Sequence, residues 1–232
     1  MSAAVIGDII DALAGVLSCS REVIELAVMT LVAGGHLLLE DVPDVGKTTL
    51  ARALGHVMGG SSRRIQFTPD LLPSDLTGAA CIRRPPVRSI SIRDRCSPIV
   101  IADEVNRANT KAQSAMLEAM GEGQISVDGH THGLRQIRSI ERIRDIRAAC
   151  RRVTLAPEMA SYIVALSAAT RDAQGVRFRV SPRGRLNVAA MAHARALMQG
   201  RDFVMADDVR SVVVPVLAHR GCAGIDAGCG SA

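Results

Sequence analysis

The sequence predicts an α/β fold, with a small parallel sheet in the first part of the chain and a wholly helical second part. Three observations carry this expectation. The apolar runs Leu37-Leu38-Leu39, Ile65-Gln66-Phe67 and Ile99-Val100-Ile101-Ala102 are too short for helices and alternate with stretches of helical spacing. The tripeptide Gly46-Lys47-Thr48 stands between the first of these runs and a helical pattern, which is the strand–loop–helix context of a phosphate-binding loop. From about Ala148 to the end, helical segments follow one another without a strand-like run between them.

A length of 232 residues suffices for one good core and a smaller satellite domain. Apolar residues make up 48% and charged residues 22%, the balance of a globular chain. With no Trp, one Tyr and three Phe, the core must be aliphatic, and base stacking on aromatic side chains is not expected. The net charge of +5 comes almost entirely from arginine, since Lys47 and Lys111 are the only lysines. Spread over a surface, such an excess serves solubility, and no nucleic-acid partner is expected. Six cysteines lie far apart, without a C-x-x-C and without His at ligand spacing; they read as reduced, mostly buried thiols of a cytoplasmic protein. Asp8 and Asp11 stand where a signal peptide would be basic, and no apolar run reaches eighteen residues, so neither a signal peptide nor a membrane span is expected.

Taken in order, Val5, Ile6, Ile9, Ile10, Leu13, Val16 and Leu17 fall at helical spacing over residues 4–17, and Ser20 caps a second apolar helix that ends at Gly34-Gly35. Leu37-Leu38-Leu39 then reads as a fully buried strand, and Thr49 to Leu54 continue the loop into a helix that Gly59-Gly60 stops. Val42, Pro43, Asp44, Val45, Gly46, Lys47, Thr48 and Thr49 are the candidate residues for nucleotide phosphates. The start of a helix offers unpaired N–H groups and the positive end of its dipole to a polyanion. Lys47 adds a charge for the β- and γ-phosphates, and the Thr48 hydroxyl is a ligand for Mg2+. Asp41 occupies the slot where the pattern G-x-x-x-x-G-K-T asks for glycine, and Asp44 lies inside the loop. A carboxylate beside the γ-phosphate costs about 1 kcal/mol per charge pair in water and up to ~4 kcal/mol in a partly shielded site. Nucleotide affinity is expected to suffer unless Asp44 points outward.

Arg63 to Phe67 reads as the second strand, and Thr68 to Gly78 as an ordered loop with a short helical turn, because two prolines break any longer helix. The third strand delivers Asp103 and Glu104 to its carboxyl end, where parallel sheets bind their ligands. Asp103 is read as holding the Mg2+ shell together with Thr48, and Glu104 as orienting and polarising the attacking water. Asn109-Thr110 caps a helix through Met120, and Gln124 to Thr131 is a hairpin turning at Asp128-Gly129, with His130 and His132 exposed. Between the hairpin and Ala148, isoleucines recur every three residues at 137, 140, 143 and 146 among many arginines. A spacing of three drifts round a helix, so this stretch reads as a solvated connector with a poor packing face. Helices follow from Pro157 to about Thr170 and from Ser181 to Gln199, and a last one starts at Asp207-Asp208, interrupted by Pro215 before a frayed tail over 221–232.

With these parts placed, the chain resembles the MoxR-type AAA+ ATPases. The stretches that carry the resemblance are AGGHLLLEDVP with VGKTTLARAL, then RRIQFTPDLLPSDLTG, IADEVNRANTKAQSAMLEAM with the hairpin QISVDGHTH, and SPRGRLNVAAMAHARALMQGRDFVMADDV near the C-terminus. The resemblance implies a P-loop NTPase (AAA+) parallel sheet, incomplete here, with a small all-α lid. The nucleotide domain would be residues 1–132, a shortened connector 133–147 and the lid 148–232. It also implies ATP and Mg2+ as cofactors, Lys47 and Thr48 in Walker A, Asp103 and Glu104 in Walker B, and Arg183 in place of the lid arginine called sensor 2, a catalytic partner of Glu104. The implied activity is ATP hydrolysis coupled to remodelling or maturation of protein clients, by a ring that is often a hexamer.

Two departures weigh on that implication. The family's loop usually carries glycine where this chain has Asp44. Members of the family also continue after the hairpin through a fourth strand ending in the sensor 1 Asn, an arginine finger and a fifth strand. Here GLRQIRSIERIRDIR is all that lies between the hairpin and the lid-like part. The alternatives are therefore a non-catalytic nucleotide-binding scaffold or a decayed remnant. A basic adaptor using residues 135–152 on membrane or nucleic acid is a third reading.

Overall fold

In the computed structural model, residues 2–40, 47–57, 62–77, 99–122, 124–127, 130–133, 141–169 and 180–221 are described. The chain begins with helices α1 (Ser2–Ala14), α2 (Arg21–Ala33) and α3 (Lys47–Val57), strand β1 (Ser62–Gln66), the short helix α4 (Pro73–Thr77) and strand β2 (Ile99–Asp103). A single 3-10 turn (Val105–Arg107) leads into helix α5 (Thr110–Glu122) and strands β3 (Gln124–Val127) and β4 (His130–Gly133). Helices α6 (Glu141–Arg152), α7 (Pro157–Ala169), α8 (Pro182–Met198) and α9 (Ala206–Gly221) complete it. No helix among the described residues is long and apolar enough to cross a membrane.

Two compact units result, one of residues 1–38 and 144–232, the other of residues 39–143. Sequence continuity groups residues 1–132, whereas packing groups α1 and α2 with the helices after residue 144. The reason lies in their apolar stripes: Ile6, Ile10 and Leu13 of α1 and Ile24, Ala27, Val28, Met29 and Val32 of α2 are buried. Both helices pack on α8, as do α7 and α9. The central α8 buries Val188, Met191, Ala192, Ala194 and Ala196. Small alanines there let several helices approach one axis closely.

The helix ends follow the chemistry of their caps. Ser20 Oγ accepts from Val23 N at 3.4 Å, and Gly34 closes α2 at φ 75° while Gly35 N donates to Thr30 O at 2.9 Å. This αL closure favours glycine because it has no Cβ to clash. Ser181 Oγ accepts from Gly184 N at 3.2 Å, with Pro182 in the first turn of α8. Helix α9 runs on past Pro215, which is exposed, without the interruption expected from sequence.

The stretch after the hairpin is not a solvated connector throughout. Residues 141–152 form α6, with Ile143, Ile146 and Cys150 buried along it and Val153 buried just past its end. The step of three between the isoleucines is followed by a step of four to Cys150, which cancels the drift and restores a helical face. Arg147 Nε donates to Leu31 O at 2.9 Å, so a cation sits at the C-terminal end of α2. Cys150 is a free thiol pushed up to about 11 by burial. Ile137 and Ile140 lie outside the described residues.

In the second unit β1 and β2 pair in parallel, with Gln66 opposite Asp103, and Phe67 N extends the ladder to Asp103 O at 2.9 Å. Helix α3 packs on both strands. Phe67, Leu76, Ala108, Ala112 and Ala115 form the core beneath, with Ile65, Leu71 and Ala102 against it. Strands β3 and β4 form the expected antiparallel hairpin, though its turn at 128–129 lies outside the described residues. The expected strand at Leu37-Leu38-Leu39 is absent: residues 35–40 have no regular structure, and Leu38 is 61% exposed. A strand exists only by pairing, and among the described residues none pairs with this one.

Candidate functional site

The second unit holds both segments singled out in the sequence. Helix α3 starts at Lys47, and its first turn carries Thr48, half-buried, and Thr49, exposed. No acidic residue lies in that turn, so its unpaired N–H groups keep their pull on anions. Because α3 packs on β1 and β2, the carboxyl end of β2, with Asp103 and Glu104, belongs to the same small assembly.

Asp103 closes the strand and Glu104 turns the chain. Glu104 adopts a left-handed conformation, φ 57° and ψ 37°, alone among the described non-glycine residues. Such a backbone costs about 1–2 kcal/mol for a residue with a Cβ, and strain of this kind collects where a side chain must be aimed. The turn is held by Arg107 N donating to Glu104 O at 2.9 Å, and Arg107 Nε lies 3.1 Å from Glu104 Oε2. Both side chains are exposed, so that ion pair adds little.

Three further residues brace the site, and of their roles only the cap at Asn109 was legible in the sequence. Arg64, on β1, donates from Nε to Asp103 Oδ2 at 2.9 Å and from Nη2 to the same oxygen. Asn109 accepts from Ala112 N at 2.9 Å as a cap, and its amide also donates to Pro69 O at 3.0 Å and Leu71 O at 2.8 Å. It therefore ties the 68–72 loop to the start of α5. Gln113 Nε2 donates to Val105 O at 3.3 Å and Ala108 O at 3.1 Å, bracing the turn after Glu104. The signal for Arg64 was its place two residues before the strand end that faces Asp103; nothing in a single sequence gives that register.

Of the residues expected from sequence, Thr48, Asp103 and Glu104 lie in the second unit, as does the backbone of Lys47. Val42, Pro43, Asp44, Val45 and Gly46, and the side chain of Lys47, lie outside the described residues. Arg183 is an exposed residue in the first turn of α8, within the first unit. No group of three or more His, Cys, Asp or Glu able to hold a metal occurs among the described residues.

The family described as "ATPase family associated with various cellular activities (AAA)" matches residues 36–141, and the AAA lid domain matches residues 168–223. YeaC of Bacillus subtilis (strain 168) is 31% identical over 278 residues, covering 93% of this chain and 86% of that protein. The chain belongs to the MoxR-type AAA+ ATPase family. Chaperone MoxR1 of Mycobacterium tuberculosis is 29% identical over 269 residues, covering 86% of this chain and 71% of MoxR1. A crystal structure from Cytophaga hutchinsonii, of a protein described as an ATPase, superposes with a TM-score of 0.80 at 26% identity and covers 97% of this chain and 89% of that one. The fold is accordingly the AAA+ P-loop NTPase fold with an all-α lid. The alignment with YeaC is longer than this chain of 232 residues, so YeaC carries residues that this chain lacks.

Proposed function

We propose that this member of the family binds ATP with Mg2+ at the junction of α3 and β2 and couples its hydrolysis to remodelling or maturation of protein clients, as a ring-forming assembly that in this family is often hexameric. The observation that carries the reading is the packing of α3, with Lys47 and Thr48 in its first turn, on the strand pair that ends in Asp103 and Glu104. The donors suit the metal: a hydroxyl and a carboxylate are the hard oxygens that Mg2+ accepts, one or two from protein with the rest from phosphates and water. Thr48 and Asp103 would hold the cation, which when bound neutralises charge developing on the transferred phosphoryl group. The loop residues Val42 to Gly46, with Lys47 and Thr49, would cradle the phosphates. Glu104, aimed by its left-handed turn, would accept a hydrogen bond from the attacking water and polarise it. Arg183 would meet the γ-phosphate from the lid.

A non-catalytic nucleotide-binding scaffold is the second reading. It is favoured by the fifteen residues from Gly133 to Arg147, too few for the sensor 1 strand and arginine finger, and by the exposure of Leu38 where a paired strand was expected. Equilibrium binding of a fluorescent ATP analogue and steady-state phosphate release, measured on the chain and on Lys47→Ala and Glu104→Gln, separate the two. Turnover abolished by both substitutions supports the hydrolytic reading. Lys47-dependent binding without turnover supports the scaffold, and no binding sinks both.

A further inference from the structure

The ion pair between Arg64 and Asp103 has no part in the reading above. In the strand register Gln66 faces Asp103, so Arg64 stands on the same strand face two residues away, a diagonal that a long side chain spans. Its Nε and Nη2 both converge on Oδ2 of Asp103, and among the described residues no bond to that carboxylate reaches Oδ1. The side chains remain 42% and 30% exposed. Solvent therefore screens the pair and lets it exchange partners. Glu104 is engaged by Arg107 instead, so the charge of Arg64 falls on Asp103.

We propose that Arg64 is a resident counter-ion of Asp103, which a divalent cation must outcompete, so that Arg64 weakens cation binding and sets the Mg2+ concentration at which the nucleotide site fills. The inference rests on the reading of Asp103 as a Mg2+ ligand. Its sign follows from charge. A guanidinium on the carboxylate offsets the negative charge that attracts a dication and repels it at short range, and the cation gains that carboxylate only by breaking the two hydrogen bonds from Arg64. Removing Arg64 therefore tightens cation binding.

Mn2+ titration followed by electron paramagnetic resonance, with ATP present, tests this on the full chain without relying on turnover. Arg64→Gln is expected to lower the Mn2+ midpoint about three- to tenfold, the scale of one partly screened unit charge. In the Asp103→Asn background the same substitution is expected to change nothing. An unchanged or raised midpoint in Arg64→Gln, or an equal drop in the Asp103→Asn background, overturns the inference. If Arg64→Gln loses the wild-type circular dichroism, Arg64→Lys decides by the same criterion: it keeps the charge but not the fork, so a smaller drop is expected and no drop overturns. Mn2+ binding that depends on Asp103 but not on Arg64 defeats only this inference. Binding indifferent to Asp103 defeats the site assignment as well.

Discussion

Asp208 in the helical unit is 2% exposed; its two oxygens meet Arg201 at 2.6 and 2.7 Å, and it also accepts from Met205 N at 2.8 Å. Asp103 in the sheet unit shares one oxygen with one arginine and stays 30% exposed. Apolar burial does not divide in the same way. Val188, Ala192 and Val209 of the helical unit and Phe67 and Leu76 of the sheet unit are almost wholly buried, and each unit also exposes apolar side chains, Leu186 at 70% in the one and Val100 at 46% in the other. A helix satisfies its backbone within its own segment, so a helical stack stays complete when other parts of the chain are short. A strand is satisfied only by its neighbours, and a sheet reduced among the described residues to β1 and β2 leaves apolar positions facing water.

The largest expected effect falls on the sheet unit. Phe67 is wholly buried at the centre of its core, and Phe67→Ala is expected to cost about 3–5 kcal/mol. Hydrogen exchange should show protection lost across β1, β2 and α5; loss confined to β1 would break the idea of one shared core. In the helical unit, Asp208→Asn leaves Arg201 facing a neutral partner and is expected to cost about 3 kcal/mol in urea unfolding at pH 7. Burial pushes the Asp208 carboxyl up, but hydrogen bonds from Arg201 and Met205 outweigh it and hold the group below the usual range. The contribution is therefore full above the unfolded value of about 4 and is lost as pH falls through the lower folded value. The gap between wild type and Asp208→Asn should close in acid below about pH 4, and a gap that persisted there would rule out an ionic origin.

Smaller effects sharpen the contrast. Gly34 has open space around its Cβ position but a φ of +75°, so Gly34→Ala is expected to cost about 1–2 kcal/mol through the backbone alone. Thermal unfolding would show it, and no change would mean that the turn relaxes freely. Leu38→Lys is expected to shift stability by no more than about 0.5 kcal/mol, as exposed positions do. A loss of several kcal/mol would show that Leu38 is buried in a strand after all.

Much of the fold is readable without coordinates, because it depends on neighbours in sequence. Ser20, Gly34, Ser181 and Gly200 end their helices where cap chemistry requires, and Arg63 to Phe67 and Ile99 to Asp103 form strands over nearly the expected residues. The placement of Asp103 and Glu104 at a strand end is legible for the same reason. Arg64 as the partner of Asp103 was not, since 39 residues separate them. Nor was Asp208, read only as a helix start, whose value depends on burial beside Arg201 and Arg195.

By itself the sequence determined the α/β order, the helix limits and the chemical character of the loop and the acidic strand end, all properties of short segments. Tertiary structure alone decided that α1 and α2 pack with α8, that α6 has a buried face, that residues 37–39 form no strand and that Arg64 holds Asp103. Each of these turns on whether a partner distant in sequence is present. Helical periodicity is written along one segment, whereas strand pairing, burial and ion pairing are relations between segments, which no single stretch can carry.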